Sequence, residues 1–296
     1  MNEETGTRVV RISYQARAKI NLDLMITGRR DDGYHLLDSL VVFADYGDEI
    51  FVRQSPNLRL NITGPFSKGL SVMQDNLVLK AASLLQNKFN IRQGAEIELV
   101  KNLPVSSGIG GGSADAAATI QALRDLWQIT CDDGDLKDLL LSLGADVPVC
   151  LASQTMQMTG IGEILRPVSL NFSLVLLLVN PGVAVSTAGI FTARAGRHVA
   201  FSSARILPDT IWEMEELIDI LHSTGNDLTY DACALEPEIT IVLQNIKESN
   251  QCMHAGMSGS GATCFGFFPD LNAAQEQADN ICRTFPAWWA VPVTVC

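Results

Sequence analysis

Apolar and polar residues alternate along several short segments of the first half of the chain, and this period of two predicts β-strands. Gly, Asp, Asn and Pro residues separate these segments as turns, which indicates a mostly antiparallel sheet. A helical pattern follows, then a further strand and a second helix. The elements predicted for this half are strands at 9–14, 20–26, 40–46, 58–62 and 95–100, and helices at 76–88 and 113–127.

The pattern starts again near residue 167 with a strand of the buried type, in which apolar residues run together. The elements predicted for this second half are strands at 173–179, 262–268 and 288–295, and helices at 214–221, 238–248 and 271–283. Strands of one sheet backed by helices are typical of an α+β fold. We therefore expect an N-terminal domain at 1–165 and a C-terminal domain at 166–296.

Composition narrows the class of protein. The chain has 296 residues, of which 47% are hydrophobic and 18% charged, and this predicts a fully folded core. A formal net charge of -12 argues against broad binding to nucleic acid or anionic lipid, because both need clustered Lys and Arg. Scattered cysteines without a Cys-x-x-Cys pair, a polar and acidic start at 1–8, and apolar runs too short for a bilayer predict a soluble, cytoplasmic protein.

Glycines cluster between the strand at 95–100 and the helix at 113–127, where residues 103–118 read LPVSSGIGGGSADAAA. Backbone amides without neighbouring Cβ atoms can surround an anion, and a helix start adds unpaired N–H groups and a positive dipole end. The segment is neither a Walker loop nor G-x-G-x-x-G, since no Lys-Ser or Lys-Thr follows and Ser113 replaces the final glycine. A flexible loop capped by Ser113 is the alternative interpretation.

Four other segments carry polar residues or glycines in unusual places. Residues 18–22, AKINL, put Lys and Asn on one face of an apolar strand. Residues 28–35 read GRRDDGYH, residues 143–148 read LGADVP and residues 256–266 read GMSGSGATCFG. An edge strand, an Asx turn before Pro and tight glycine turns would explain these segments without a function.

Together these segments resemble the GHMP (galactokinase, homoserine, mevalonate, phosphomevalonate) kinases. The loop is similar to P-x-x-x-G-[LI]-G-G-G-S-[SA]-D-A-A, and the other motifs follow in the family's order between Ala18 and Phe267. GRRDDGYH resembles the G-R-R-x-D-G-Y-H of the diphosphocytidyl-methylerythritol kinases. The resemblance implies a two-domain α+β fold, with an N-terminal mixed sheet with helices and a C-terminal ferredoxin-like sheet backed by helices. Arg17 departs from the family's usual Pro, a change that could alter the strand entry.

The resemblance also implies an activity. The expected reaction is transfer of the ATP γ-phosphate to the 2-hydroxyl of 4-diphosphocytidyl-2-C-methyl-D-erythritol, in the non-mevalonate isoprenoid precursor pathway. Asp146 would accept the hydroxyl proton, and Lys19 would lie beside it and stabilise the transferring phosphoryl group. A kinase for mevalonate or homoserine and a non-catalytic ligand sensor are the alternatives.

Binding residues carry over in the same way. The phosphate loop would hold ATP through Pro104, Gly108, Gly110, Gly111, Gly112 and Ser113, with Lys101 and Asn76 near the adenosine. Tyr34 and Phe191 would sandwich the cytosine, His35 would hydrogen-bond it, and Asn21 would lie near the reacting hydroxyl. The alternatives are that Phe191 is a core residue and Tyr34 a turn residue. Surface or turn roles are the alternatives for Lys101 and Asn76.

Mg²⁺ is expected with ATP but has no assigned protein ligand, Asp146 and Ser113 being the candidates. The partner is expected to be a small-molecule substrate, without nucleic acid or membrane, and the chain a monomer or weak homodimer.

Overall fold

The computed structural model describes residues 11–73 and 75–296. The predicted strand start at 9–10 and the acidic start at 1–8 lie outside the described residues. The first half contains strands and helices with the following bounds: β1 Arg11–Asn21, β2 Met25–Arg29, β3 His35–Ser55, β4 Arg59–Thr63, α1 Leu77–Phe89, β5 Gly94–Val100, α2 Gly111–Leu126, α3 Lys137–Leu143, α4 Val147–Ala152, β6 Met156–Gly160 and β7 Ile164–Pro167.

A seven-stranded sheet forms the framework of this half, in the order β4-β5-β3-β6-β7 with β1 and β2 also paired to β3. Only the β4–β5 pair is parallel among these described strands, so the sheet is mixed, as expected. Apolar residues of one sheet face pack against α1, α2, α3 and α4 as a single core. This core holds the strand end that precedes the glycine-rich loop and the helix that follows it.

Three strand predictions in this half were wrong in their bounds. The strand predicted to end at residue 14 continues in β1 to Asn21. The strand at 40–46 is part of β3, which runs for 21 residues through Gly47 and Asp48, residue types that normally indicate a turn. The strand at 20–26 is interrupted, since β1 ends at Asn21 and β2 begins at Met25. Between them Asp23 turns its carboxylate inward to accept the N–H of Leu40, which replaces strand pairing locally.

The second half contains β8 Ser169–Leu170, β9 Val175–Asn180, α5 Thr187–Gly196, β10 Thr210–Ile211, α6 Met214–Thr224, α7 Thr229–Leu235, α8 Glu238–Lys247, β11 His254–Met257, β12 Cys264–Phe268, α9 Leu271–Thr284 and β13 Trp289–Thr294. Four of these strands form an antiparallel sheet in the order β11-β12-β9-β13. Counted along the chain this is the order 4-1-3-2 with helices in both crossovers, which confirms the ferredoxin-like arrangement. The sequence analysis missed β8, α5, β10, α7 and β11.

β9 is buried on both faces, as its apolar run predicted. Leu176 and Leu178 pack with Ile20 and other residues of β1 and β3, whereas Leu177 and Val179 belong to the cluster under the helices of the second half. The two sheets therefore share an apolar core, because alternate residues of one strand face opposite layers. The division of the chain at residue 165 stays a prediction.

A buried ionic cluster also joins the two halves. The guanidinium of Arg205 pairs with both oxygens of Asp23 and approaches Asp38 at 3.4 Å. Thr224, at the end of α6, donates its hydroxyl to Asp23 at 2.8 Å. Both carboxylates are fully buried, so Arg205 supplies the charge that makes their burial tolerable. Within the described residues, no helix is both long and apolar enough to cross a membrane.

Candidate active site

A cleft of about 1410 Å³ opens between the glycine-rich loop, β1, the β2–β3 hairpin and α5. Every site residue predicted from the sequence lines it. These residues are Lys19, Asn21, Tyr34, His35, Asn76, Lys101, Pro104, Gly108, Gly110, Gly111, Gly112, Ser113, Asp146 and Phe191. Residues that are far apart in the sequence thus share one concave surface, and the volume suits two small molecules side by side.

Lys19 and Asp146 form an ion pair at the centre of the cleft. Nζ of Lys19 donates to Oδ2 of Asp146 at 2.9 Å, although 127 positions separate the residues in the chain. The Lys19 side chain is 4% exposed, whereas that of Asp146 is 36% exposed. A buried ammonium therefore anchors a carboxylate that stays accessible from the cleft, as a base needs.

Arg17 lies next to a β-bulge of β1, where the pairing with β3 shifts between Arg17 and Lys19. Strands accept Pro at bulges, so the family's Pro and this chain's Arg suit the same backbone position. The bulge leaves Lys19 in register with β3, opposite Phe43. The departure at Arg17 therefore does not displace the catalytic candidate.

The glycine-rich loop packs closely against β1. The N–H of Lys19 donates to the carbonyl of Ile109 at 3.0 Å. Helix α2 begins at Gly111 rather than at the predicted Ser113, and Gly110 with φ 66° caps it, so the alternative interpretation, in which Ser113 is the cap, does not hold. A Cβ on Gly108, which has φ 75°, would lie 2.5 Å from the Ser258 carbonyl oxygen. Only glycine fits there, because the backbone is left-handed and the space is filled.

The third glycine-rich segment, 256–266, lies directly behind this loop. Ser258 accepts the N–H of Asn21 at 3.0 Å and donates its hydroxyl to the carbonyl of Gly108 at 2.9 Å. The N–H of Thr263 donates to the carbonyl of Ser107 at 3.1 Å. The second half of the chain thus supports the loop through one side-chain and one backbone hydrogen bond, which sequence spacing alone could not indicate.

Lys101 lies beneath the loop in a buried ionic cluster with Asp48 and Asp115. Its Nζ contacts both carboxylates, at 2.7 Å for Asp115. Oδ1 of Asp48 also accepts the N–H groups of Asn102 and Leu103 at 2.6 and 2.8 Å. Lys101 at the start of the loop is therefore joined to Asp115 in the second turn of α2. The sequence analysis missed the role of Asp48, which lies inside a strand and carries no motif.

Burial dominates the electrostatics of this cluster. Burial raises the pKa of Asp115 to about 8. The charge of Lys101 lowers this pKa, but the nearby charge of Asp48 works against that effect. Burial also lowers the pKa of Lys101, but the charges of Asp115 and Asp48 outweigh it, and that pKa is raised. Lys101 therefore remains charged.

Asn76 caps helix α1. Its Oδ1 accepts the N–H of Val78 at 2.9 Å, and its Nδ2 donates to the carbonyl of Ser71 at 2.8 Å. These bonds fix the amide at the rim of the cleft and satisfy the helix start. A contact between Asn76 and adenosine stays a prediction.

An aromatic wall closes the other end of the cleft. The rings of His35 on β3 and Phe191 on α5 stack with centroids 4.7 Å apart and 23° between planes. Tyr34 is 60% exposed beside them. Burial lowers the pKa of His35, and the charges of Arg29 and Arg194 add to this. A neutral imidazole can both donate and accept hydrogen bonds, which suits recognition of a base edge.

Comparison with known proteins agrees with this architecture. The profile described as GHMP kinases N terminal domain matches residues 76–154, and the one described as GHMP kinases C terminal matches residues 211–287. A crystal structure of 4-(cytidine 5'-diphospho)-2C-methyl-D-erythritol kinase superposes with a TM-score of 0.77 and 30% identity, covering 96% of this chain and 99% of that one. Homoserine kinase from Cytophaga hutchinsonii, at TM-score 0.64 and 20% identity, shares the fold. Fold and site are those of a GHMP kinase, a class that uses ATP as phosphate donor.

Curated relatives narrow the class. The 4-diphosphocytidyl-2-C-methyl-D-erythritol kinase of Cereibacter sphaeroides is 48% identical over 281 residues, covering 94% of this chain and 96% of the relative. The protein of the same name from Paramagnetospirillum magneticum is 44% identical over 280 residues, covering 95% and 97%. The chain belongs to the 4-diphosphocytidyl-2-C-methyl-D-erythritol kinase family.

Proposed function

We propose that this chain transfers the γ-phosphate of ATP to the 2-hydroxyl of 4-diphosphocytidyl-2-C-methyl-D-erythritol. The observation that carries the proposal is the Lys19–Asp146 pair at 2.9 Å, in one cleft with a glycine-rich anion loop and an aromatic wall. The loop offers a site for the triphosphate, and the wall offers one for a pyrimidine base. The pair lies where the two substrates would meet.

In the proposed reaction, Asp146 accepts the proton of the 2-hydroxyl. The hydroxyl oxygen forms a bond to the γ-phosphorus, the bond from that phosphorus to the β-γ bridging oxygen breaks, and ADP leaves with the electron pair. Lys19 holds the carboxylate in place through their ion pair and offsets negative charge on the transferring group. Backbone N–H groups of the loop and the start of α2 bind the remaining phosphate charge.

We propose that ATP contacts Pro104, Gly108, Gly110, Gly111, Gly112 and Ser113, with Asn76 and Lys101 towards the adenosine. At the other end, Tyr34 and Phe191 would enclose the cytosine and His35 would hydrogen-bond it. His35 stacks on Phe191, so a base between Phe191 and Tyr34 requires the imidazole to move. Asn21, held by its bond to Ser39 at 2.7 Å, would contact the reacting end.

We propose that Mg²⁺ accompanies ATP. Magnesium in kinases binds mainly to phosphates, water and one or two protein oxygens. The Asp146 carboxylate and the Ser113 hydroxyl both line the cleft and fit this requirement. Within the described residues no group of three or more His, Cys, Asp or Glu could hold a metal ion by itself, so the nucleotide phosphates would supply most ligands. Bound Mg²⁺ would offset charge on the transferring phosphoryl group.

The test is ADP release with Mg-ATP, comparing 4-diphosphocytidyl-2-C-methyl-D-erythritol with mevalonate and homoserine. We expect turnover with the cytidylated alcohol alone, and a kcat about 10²- to 10⁴-fold lower in Asp146→Asn with ATP binding retained. Asp138→Asn, an exposed carboxylate on α3, is the matched control and should behave as wild type. Turnover of mevalonate or homoserine instead would show that the proposed substrate is wrong. Binding of ATP and substrate without ADP release would indicate a non-catalytic sensor.

We further propose that the enzyme works in the cytoplasm as a monomer or weak homodimer, without nucleic acid or membrane. The net charge of -12 supports the absence of polyanionic partners. Among the described cysteines none forms a disulfide, which agrees with a reducing compartment. Sedimentation over a range of protein concentrations tests the oligomeric state.

A further inference from the structure

Among the described residues, the basic side chains that line the cleft are Lys19, Arg29 and Lys101, together with the ring of His35. Lys19 pairs with Asp146, and Lys101 pairs with two buried carboxylates. Arg29 forms no salt bridge within the described part of the chain. Its guanidinium is therefore the cation of the cleft that remains available to an anionic ligand.

Arg29 stands beside the aromatic wall. In the antiparallel pairing of β2 and β3, Arg29 lies directly opposite His35. Opposed residues of antiparallel strands point to the same face, with Cβ atoms about 4.5–5.5 Å apart. The side chain of Arg29 therefore projects to the same side as the imidazole, which stacks on Phe191.

Local hydrogen bonding of Arg29 uses only one of its three guanidinium nitrogens within the described residues. Its Nε donates to the carbonyl of Gly33 at 3.3 Å, which steadies the guanidinium against the hairpin. The two terminal nitrogens remain to bind a ligand. A planar guanidinium with two parallel donors matches a phosphate group better than an ammonium does.

The substrate under the proposed function carries a diphosphate directly next to its cytidine. A base at the aromatic wall would put those phosphates within the reach of a long side chain on the same face. We propose that Arg29 binds the diphosphate of the substrate and thereby selects a cytidylated alcohol over a simple one. This assignment rests on the proposed function, because it takes the substrate class from it.

Arg30 provides a matched control. It is the next residue, it is also exposed, and it pairs with Asp32 at 2.7 Å without lining the cleft. Replacement by Met keeps the aliphatic stem of either arginine and removes only the charged group. Any general effect of lost charge on the hairpin would appear in both variants, whereas loss of a phosphate contact would appear in one.

The experiment titrates CDP and cytidine into wild type, Arg29→Met, Arg29→Lys and Arg30→Met by calorimetry. We expect Arg29→Met to weaken CDP binding about 10- to 100-fold and to leave cytidine binding unchanged. Arg29→Lys should recover part of the loss, and Arg30→Met should match wild type. In turnover, Arg29→Met should raise KM for the cytidylated substrate far more than it lowers kcat.

Unchanged CDP affinity in Arg29→Met would overturn the role of Arg29 alone. Equal weakening of CDP and cytidine would also overturn it, because the residue would then act on the His35 side of the site rather than on phosphate. A wild-type protein that binds neither ligand would overturn the proposed substrate as well. Circular dichroism of each variant separates these outcomes from misfolding.

Discussion

Replacement of Lys101 by Met tests whether the buried cluster beneath the loop supports nucleotide binding. The change preserves the apolar stem and removes the ammonium that joins Asp48 to Asp115. It leaves two carboxylates facing each other, with side-chain exposures of 0% and 5%. The loop would also lose the ion pair that joins its start to the second turn of α2.

Removing one partner of a buried ion pair typically costs about 3–5 kcal/mol, because the remaining charge is uncompensated. Near neutral pH Asp115 is already largely protonated, because burial raises its pKa to about 8, so the charge left without its partner is that of Asp48. We therefore expect Lys101→Met to lower the free energy of unfolding by about 3 kcal/mol near neutral pH. A larger loss is expected above pH 8, where the wild-type cluster keeps its ammonium between two carboxylates.

Urea unfolding measures the stability, and calorimetry with ADP and with adenosine measures binding. We expect a larger loss of ADP affinity than of adenosine affinity, because the cluster holds the phosphate loop in addition to lying towards the adenosine. Lys80→Met, an exposed lysine of α1, is the control.

A stability loss below about 1 kcal/mol together with unchanged ADP affinity would refute the reasoning. Equal loss of ADP and adenosine affinity would instead favour a direct contact between Lys101 and adenosine.

Three further predictions concern stability. Burial, and then the charge of His222, lower the pKa of His254 to about 4. The free energy of unfolding should therefore fall by up to about 3 kcal/mol as the pH drops from 6.5 to 4. Urea unfolding measures this fall, which should be smaller in His254→Gln. Gly108→Ala should lower the free energy of unfolding by about 2–4 kcal/mol through backbone strain and overpacking. Gly69→Ala, whose Cβ would meet no atom within 4 Å, should lower it by only about 1–2 kcal/mol. Equal losses in chemical denaturation would contradict this. Arg205→Met should lose about 3–5 kcal/mol by leaving Asp23 and Asp38 uncompensated, whereas exposed Arg59→Met should not, as thermal unfolding can check.

Much of the candidate site could be predicted from the sequence because its signals are local. A glycine reports a backbone conformation or a close contact at its own position, as at Gly108 with φ 75°. Helices with strong three-to-four periodicity, such as α6, α8 and α9, were predicted within a few residues. Their register depends on neighbours one turn away, which the sequence contains.

Other features were decided by tertiary structure. The length of β3 was underestimated because pairing with β1 holds Gly47 and Asp48 in an extended strand despite their turn preference. The cluster around Lys101 escaped prediction because its members come from β3, the residue after β5, and α2, and only packing brings them together. Burial then raises the pKa of Asp115 in a way that composition does not reveal.

The sequence by itself determined the alternation of strands and helices, the positions where only glycine fits and the residue types available for phosphoryl transfer. The tertiary structure decided which of those residues meet. Lys19 and Asp146 became a pair at 2.9 Å because β1 and the start of α4 pack against the same loop, across 127 positions of chain. Local preferences act over a few residues, whereas such distances depend on how sheets and helices close around a common core.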